Sequence, residues 1–423
     1  MINKHSEKLS FYSKFVNHVL LLYPILNTYV LVGSLSIARA VLLSLVGIFI
    51  FRILVKGQRP MLHAPKKLNA YCIFWFCSAV FSVLYLGISV LGALPGIIYS
   101  TLFMLLFFTE IDFQYLLKWY KIYAVAFIAF FLFQEFLYVT TGVRVPGLIP
   151  GLSLTVTNEI GSDRYMDMIL YGNRSTSVFS EPAHFAQWLL PLLSIELMFD
   201  NSRKHYLFAG IIVLVLLLLR SGNAMFGLAV VILCFLLYIF FENKSKYRIF
   251  ILVVFVFSLV VGSTYYLKSG AGLDVLDRQG ELQLTGDTSD RMGQVRLYRG
   301  YFVFAEYNFL EKMIGMSDIP KLLNYIKTSK VAMFFEEHET YFNGIQSVLL
   351  KTGYIGLIIF VWLCVDLSKR NNYAGRSIVW SFVALSLVSG LFFIPTMALY
   401  LVLAYKLKLN EEKRYYVQTL CNK

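Results

Sequence analysis

Residues 224–241 read AMFGLAVVILCFLLYIFF, a continuous apolar stretch without a charged side chain. A bilayer core about 30 Å thick is crossed by roughly 20 apolar residues, because an α-helix rises about 1.5 Å per residue. The stretch therefore predicts a membrane-spanning helix. Its length and apolar composition can be compared with those of the other stretches of the chain.

Similar apolar stretches recur along the whole sequence, in which 58% of residues are hydrophobic and only 15% are charged. This composition predicts an all-α polytopic membrane protein with about twelve transmembrane helices, in one membrane domain over residues 1–423. The predicted spans are 15–33, 37–55, 69–91, 94–110, 118–140, 179–199, 206–220, 224–241, 248–267, 341–366, 377–393 and 395–407.

The distribution of lysine and arginine predicts the orientation of these spans, because cytoplasmic loops are enriched in basic residues. More than half of the 38 basic residues lie in segments on the side that holds both termini. These segments include Arg52 to Lys67, Lys118 and Lys121, and Lys369 to Arg376. We therefore expect both termini to be cytoplasmic, and we attribute most of the +13 net charge to topology and anionic lipid, with no nucleic-acid partner.

Two long polar segments, 141–177 and 268–340, are predicted to lie on the opposite, external side. All five cysteines fall in spans or in the C-terminal tail, so disulfides are not expected to stabilise these loops. No nucleotide-binding fingerprint or cluster of metal ligands is present, and we expect no cofactor and no metal. The span centres are almost wholly apolar, which argues against a polar transport pathway.

The first loop ends in YGNRSTSVFSEPAHFAQWLLP, residues 171–191. Ser180 is a candidate N-cap and Pro182 suits a first helical turn, so Glu181 and His184 would share one face at the external membrane surface. A helix N-terminus with Arg174 upstream suits a phosphate group. The alternative interpretation is a capping glutamate with an interfacial histidine.

The second loop contains TSDRMGQVRLYRGYFVFAEYNFLEKMIGM, residues 288–316. In a helix, Arg291, Arg296 and Arg299 would lie within about 140° of arc, and Tyr298 and Phe302 would face the membrane. We interpret this segment as an amphipathic helix that places arginines around a cavity. The alternative is a basic interfacial helix that only holds lipid headgroups.

The same loop closes with FFEEHETYFNGIQSVLLKTGYIGLIIF, residues 334–360, where His338 and Glu339 precede a span. A histidine at this position could act as a base near neutral pH or donate to phosphate oxygens. A solvated loop histidine is the alternative. Arg220 and Asn223 form a further external corner, which could also be an ordinary turn.

Together these segments resemble the Wzy-type O-antigen polymerase and WaaL-type O-antigen ligase superfamily of membrane glycosyltransferases. The resemblance rests on four short motifs that occur in the family's order along the chain. The motif at the Ser221-Gly222 turn is the weakest of them. The other three are Arg174 with Phe179, Glu181 and Pro182; Arg291 followed by Ile314-Gly315; and His338 with Tyr341, Gly353 and Gly356.

The resemblance implies a GT-C-like fold with two large periplasmic loops in the bacterial inner membrane. It also implies a metal-independent polymerase that transfers a growing glycan from undecaprenyl pyrophosphate to the non-reducing end of a lipid-linked repeat unit. A polysaccharide co-polymerase that regulates chain length is a further partner expected from the family.

In this interpretation His338, Glu181 and Arg291 are catalytic, and His184, Glu339 and Tyr341 contact the acceptor or glycan. The pyrophosphate would be bound by five arginines: Arg174, Arg220, Arg291, Arg296 and Arg299. Guanidinium groups suit this role because their planar fork binds phosphate oxygens and stabilises the charge of the leaving group.

Three other functions remain open from the sequence. A ligase would use the same donor but transfer the glycan to lipid A core. A transporter of lipid-linked oligosaccharide would need a more polar central pathway than these spans offer. A structural membrane scaffold would have no evident use for the repeated external arginines.

Overall fold

The computed structural model is mostly helical, with 79% of the residues that it describes in helices. It describes residues 9–33, 35–57, 59–87, 89–143, 145–149, 151–155, 174–199, 203–242, 291–316, 322, 325 and 342–421, of which 203, 291–297 and 412–421 are described by backbone alone. The helices are α1 (Phe11–Leu26), α2 (Ile37–Lys56), α3 (Lys66–Leu86), α4 (Val90–Glu110), α5 (Phe113–Thr141), α6 (Pro182–Met198), α7 (Arg203–Leu218), α8 (Gly222–Phe241), α9 (Arg291–Ala305), α10 (Phe309–Ile314), α11 (Gly344–Ser368), α12 (Tyr373–Val388) and α13 (Pro395–Cys421).

Within the described residues, 6 helices are long and apolar enough to cross a membrane, namely α2, α3, α4, α5, α8 and α11. Shorter apolar helices cover Lys204–Leu218 and Tyr373–Val388. The helical, membrane-type character expected from the sequence is therefore supported. The number of twelve spans and the GT-C-like arrangement stay predictions, and the proposed span 248–267 lies outside the described residues.

The first predicted span, 15–33, is wrong in its second half, because α1 ends at Leu26. Val30–Val32 then pairs with Leu35–Ser36 as a small antiparallel hairpin, β1 and β2, in which Gly33 has a left-handed φ of 57°. The side-chain oxygen of Asn27 accepts a hydrogen bond from the Ser36 hydroxyl at 2.8 Å. These polar contacts end the helix although the apolar composition continues past it.

The chain divides into two compact units, and each is described by itself. The first comprises residues 1–64 and 102–185, and α1 packs there against α2 and α5. Glu110, the last residue of α4, is buried and accepts hydrogen bonds from Arg52 at 3.0 Å and from Ser13 at 2.5 Å. The charge of Glu110 is therefore paired where three helices meet.

The second unit comprises residues 65–101 and 186–423, and α12 packs there against α8, α11 and α13. Buried polar side chains join its helices: the Gln187 amide donates to the Ser389 hydroxyl at 3.0 Å, and the Ser194 and Ser377 hydroxyls are 2.9 Å apart. Small polar residues allow close helix approach and hydrogen bonding within a bilayer. These two bonds join α6 to α12 and to the residue that caps it.

Candidate functional site

The loop that leads into α6 is held by Gln134, a buried residue of α5. The backbone N–H of Ser177 donates to the Gln134 side-chain oxygen at 2.9 Å, and the Gln134 amide donates to the Val145 carbonyl at 2.7 Å. The Ser177 hydroxyl also donates to the Phe127 carbonyl at 2.8 Å. Both ends of the segment 141–177, which the sequence predicts to be external, are thereby attached to α5.

The two ends of this segment also touch each other directly. A Cβ added to Gly147 would lie 1.6 Å from the carbonyl oxygen of Ser177, a distance that no side chain could tolerate. Ser177 itself has a left-handed φ of 56°, a conformation that non-glycine residues seldom adopt. The surrounding contacts therefore hold the backbone around Ser177 in one conformation.

Aromatic packing positions the residues between Ser177 and α6. The ring of Phe179 is buried and stacks on Phe185 with centroids 4.9 Å apart, while Phe127 meets it edge to face at 5.7 Å. Such pairs contribute beyond the area they bury. The loop that carries Arg174 and Glu181 is consequently fixed in its middle by apolar contact as well as by hydrogen bonds.

Helix α6 begins at Pro182, as the sequence predicts, but Ser180 lies one residue earlier than an N-cap would. Its hydroxyl oxygen is instead 2.9 Å from Nδ1 of His184. Glu181 and His184 are both exposed, and Arg174 is half-buried. An exposed carboxylate and imidazole one helical turn apart can reach a ligand from solvent, which their proposed contact with a substrate requires.

In the second unit, Arg299 is an almost fully buried cation, with 1% of its surface exposed. It belongs to α9, the helix predicted from the arginine spacing, and Tyr298, Tyr301 and Phe302 of the same helix are each partly exposed. A buried guanidinium is costly unless charge or hydrogen bonds compensate it. Arg299 is therefore more enclosed than an arginine on the surface of an interfacial helix would be.

The helix that carries Arg299 packs closely against the first turn of α11. A Cβ added to Gly300 would be 2.6 Å from Cβ of Gln346, so only glycine permits this approach. Asn343 caps α11 by accepting the Gln346 N–H at 2.8 Å, and the Gln346 side-chain oxygen accepts the Asn343 N–H at 3.3 Å. This reciprocal capping box fixes the end of α11 that follows the His338 segment.

Helix α11 is interrupted where α10 ends against it. Gly353 has φ 64° and ψ −165°, a non-helical conformation inside α11. A Cβ on Gly353 would lie 2.4 Å from the Met313 carbonyl oxygen, and a Cβ on Gly315 would lie 2.3 Å from the Thr352 nitrogen. The Met316 N–H donates to the Leu350 carbonyl at 2.7 Å. This bond gives a carbonyl near the interruption a hydrogen-bond partner.

A buried carboxylate supports the start of α10. Glu311 forms a capping box with Asn308 and accepts the Tyr325 hydroxyl at 2.6 Å. Burial and the nearby Glu311 charge raise the pKa of Tyr325 above its usual range, so its hydroxyl stays protonated and available as a donor at neutral pH. Glu311 is thus occupied by structural contacts.

The predicted site residues are distributed over both units. Arg174, Glu181 and His184 belong to the first unit, whereas Arg220, Arg291, Arg296 and Arg299 belong to the second. Arg220 is half-buried at the α7–α8 turn with a left-handed φ of 49°.

Arg291 and Arg296 lie in α9 and are described by backbone alone, while His338, Glu339 and Tyr341 lie outside the described residues. The meeting of these arginines over one pyrophosphate stays a prediction.

Three positioning residues were not predicted from the sequence: Gln134, Gln346 and Glu311. Gln134 is a polar residue within an apolar stretch, and that anomaly is a usable signal. The spacing of Asn343 and Gln346 matches a capping box, which a search for helix starts could have found. Glu311 follows Asn308 at the same spacing.

No model of a known protein family matches this chain, and comparison with curated proteins gives no match either. Within the part of the chain that the structure describes, no group of three or more His, Cys, Asp or Glu residues could hold a metal ion.

Proposed function

We propose that this protein is a membrane-embedded glycosyltransferase that polymerises a surface polysaccharide from lipid-linked repeat units. The observation that carries the proposal is the junction of α9, α10 and α11. There the Arg299 helix packs on the start of α11, and Gly315 packs on Gly353, although the chain between these segments is long. Segments singled out by the O-antigen polymerase resemblance are thus neighbours in space, which supports a common role for them.

In the proposed reaction an acceptor hydroxyl oxygen attacks the anomeric carbon of the donor glycan. The bond between that carbon and the pyrophosphate oxygen breaks, and undecaprenyl pyrophosphate leaves with the electron pair. Arginine side chains would stabilise this charge, because charge-assisted bonds to phosphate are strong in a water-poor site. The acceptor proton would pass to His338, or to Glu181 acting through His184.

Each group of residues has a distinct task in this proposal. Arg299 and its helix neighbours Arg291 and Arg296 would hold the pyrophosphate, with Arg174 and Arg220 completing the clamp. Glu339 and Tyr341 would contact the acceptor sugar. The anchoring of the Arg174 loop by Gln134 supports such a task, because a clamp must be held within a fraction of an ångström of its productive geometry.

The proposal is tested by reconstituting the purified protein with one defined lipid-linked repeat unit and measuring chain extension. We expect Arg174→Ala and Arg291→Ala each to lower the rate by about 100-fold or more, the usual loss when a donor to developing charge is removed. Arg59→Ala, an exposed residue far along the chain from these loops, serves as the matched control and should retain wild-type activity.

The products of the same assay distinguish the other candidate functions. A polymer that stays on undecaprenyl pyrophosphate supports polymerase activity, whereas transfer to added lipid A core indicates a ligase. Lipid flipping without any elongation would indicate a transporter. Unchanged extension in both arginine variants would overturn the proposed pyrophosphate clamp.

A further inference from the structure

A pocket of about 480 Å³ opens in the second unit where α8 and α11 end and α12 begins. Its lining includes three cations, Lys369, Arg370 and Arg376, which lie at the α11–α12 turn and in the first turn of α12 and are called the basic rim below. None of the arginines proposed for glycan transfer contributes to it. The pocket is therefore a feature that the proposed function does not use.

The three cations of this pocket are not neutralised by the carboxylates of the described residues. None of them forms an ion pair within the described part of the chain, and the neighbouring Asp366 is bound to Lys408 at 3.1 Å. Arg376 lies over the ring of Tyr373 at 5.0 Å, an arrangement that orients a guanidinium while leaving its N–H groups able to donate. The rim is consequently suited to an anion.

The pocket lining also includes apolar side chains that are partly exposed. Phe241, Val365 and Trp380 line it, and they are 65%, 48% and 49% exposed. Phe241 ends the candidate span α8, Val365 lies in the last turn of the candidate span α11, and Trp380 lies on the apolar helix α12. A ligand that fills the pocket would therefore contact both basic groups and apolar side chains.

The turn that carries the cations is held by specific contacts. Asn371 donates through its side-chain nitrogen to the Ala404 carbonyl at 2.8 Å, and the Asn372 side-chain oxygen caps α12 by accepting the Gly375 N–H at 2.8 Å. Arg370 has a left-handed φ of 60°, which is unfavourable for arginine and is sustained by this packing. The fold thus fixes the backbone positions from which these cations extend.

We propose that this pocket binds an anionic phospholipid of the surrounding bilayer, with its phosphate at Lys369, Arg370 and Arg376 and an acyl chain along Phe241, Val365 and Trp380. Basic recesses between transmembrane helices bind such headgroups on the side where anionic lipid accumulates. Lysine and arginine positions predict that these helix ends are on that cytoplasmic side. Free phosphate could use the rim, but it would leave the apolar wall unfilled.

Trp380 makes the proposal measurable by fluorescence quenching. The full-length protein is placed in phosphatidylcholine vesicles that contain a small fraction of brominated phosphatidylglycerol or, separately, the same fraction of brominated phosphatidylcholine. The difference between wild type and Trp380→Phe isolates the signal of this residue. We expect the anionic lipid to quench Trp380 with an apparent affinity about fivefold or more above that of the zwitterionic lipid.

Replacement of Lys369, Arg370 and Arg376 together by glutamine should reduce this preference to nearly one. A matched control replaces Lys56, Arg59 and Lys66 by glutamine, which removes the same charge from exposed positions and should keep the preference. The charge-conserving set Lys369→Arg, Arg370→Lys and Arg376→Lys should also keep it. Loss in the matched control would show that net charge, and not the pocket, determines the preference, and would overturn the proposal.

Two further outcomes decide between sources of the phosphate. Excess water-soluble glycerol phosphate should leave the quenching unchanged, and complete relief by it would mean that the pocket takes a soluble anion instead of lipid. Equal quenching of Trp380 by the two brominated lipids, with the pocket cations unchanged, would also overturn the proposal. Neither result depends on glycosyltransferase activity.

Discussion

At the scale of single residues, Gln134 connects most directly to the proposed chemistry. It is buried in α5 and satisfies the Ser177 N–H and the Val145 carbonyl, which belong to separate parts of the external segment. Buried backbone groups are costly when unpaired, especially where no water can replace the partner. One amide side chain thereby determines the path of the loop that bears Arg174.

Gln134→Leu retains the approximate size of the side chain but removes its hydrogen bonds. We expect the free energy of unfolding to fall by about 1 to 3 kcal/mol, because the buried Ser177 N–H and carbonyl lose their hydrogen bonds to Gln134. Denaturation in detergent monitored by intrinsic fluorescence measures this change. Phe136→Leu, at a position 64% exposed on the same helix, should change stability by much less.

The two substitutions also test the link to function. If the anchored loop positions Arg174, Gln134→Leu should lower chain extension at temperatures where the protein remains folded. Equal stability of the two variants would contradict the structural role assigned to Gln134. A stable Gln134→Leu protein with full activity would contradict its positioning role.

At the scale of secondary-structure elements, the interruption of α11 is the feature with the largest consequence. The backbone at Gly353 adopts a region that is essentially restricted to glycine, and the end of α10 occupies the space beside it. Non-helical backbone at membrane depth is tolerated where protein surrounds it and satisfies its polar groups. Here the Met316 N–H bonds the Leu350 carbonyl, which satisfies one of them.

Gly353→Ala should therefore be strongly destabilising. The conformation alone costs about 1 to 3 kcal/mol for a residue with a side chain, and the added Cβ would also collide with the Met313 carbonyl. Gly47→Ala is the matched control, because no described atom lies within 4 Å of its added Cβ and alanine favours the helix by up to about 1 kcal/mol. Thermal unfolding of both variants in detergent gives the comparison, and a Gly353→Ala protein as stable as Gly47→Ala would refute it.

At the scale of the whole molecule, the asymmetric placement of lysine and arginine determines how the protein is expected to lie in the membrane. The segment around Arg59 is predicted to be cytoplasmic, and the segment around Ser153 is predicted to be external. Both residues are exposed, so cysteines placed there can react with a label. Labelling of these cysteines in intact cells therefore measures the orientation of the protein in the membrane.

In a protein whose native cysteines are replaced, Ser153→Cys should react with a membrane-impermeant maleimide in cells with a permeabilised outer membrane. Arg59→Cys should react only after the inner membrane is opened. Reaction of Arg59→Cys in cells with an intact inner membrane, together with protection of Ser153→Cys, would reverse the topology. It would also move the proposed catalytic loops to the cytoplasm.

The sequence by itself determined the class of protein, because a bilayer requires long apolar helices whose backbone groups bond within the helix. It also predicted α9 and the start of α6 from local spacing and from Pro182. Apolar composition could not locate the end of α1, since the hairpin that follows depends on Asn27 bonding Ser36 and on the Val30 N–H donating to the distant Ser153 carbonyl.

Only the tertiary structure decided which segments meet. Lipid-facing and protein-facing helix surfaces are equally apolar, so no sequence pattern distinguishes them or identifies the partner of a given helix. The pairing of Ser177 with Gln134 and of Gly315 with Gly353, and the burial of Arg299, depend on close packing between residues far apart in the chain. Packing of this kind is specified by shape and by satisfied polar groups, which appear only when the helices are assembled.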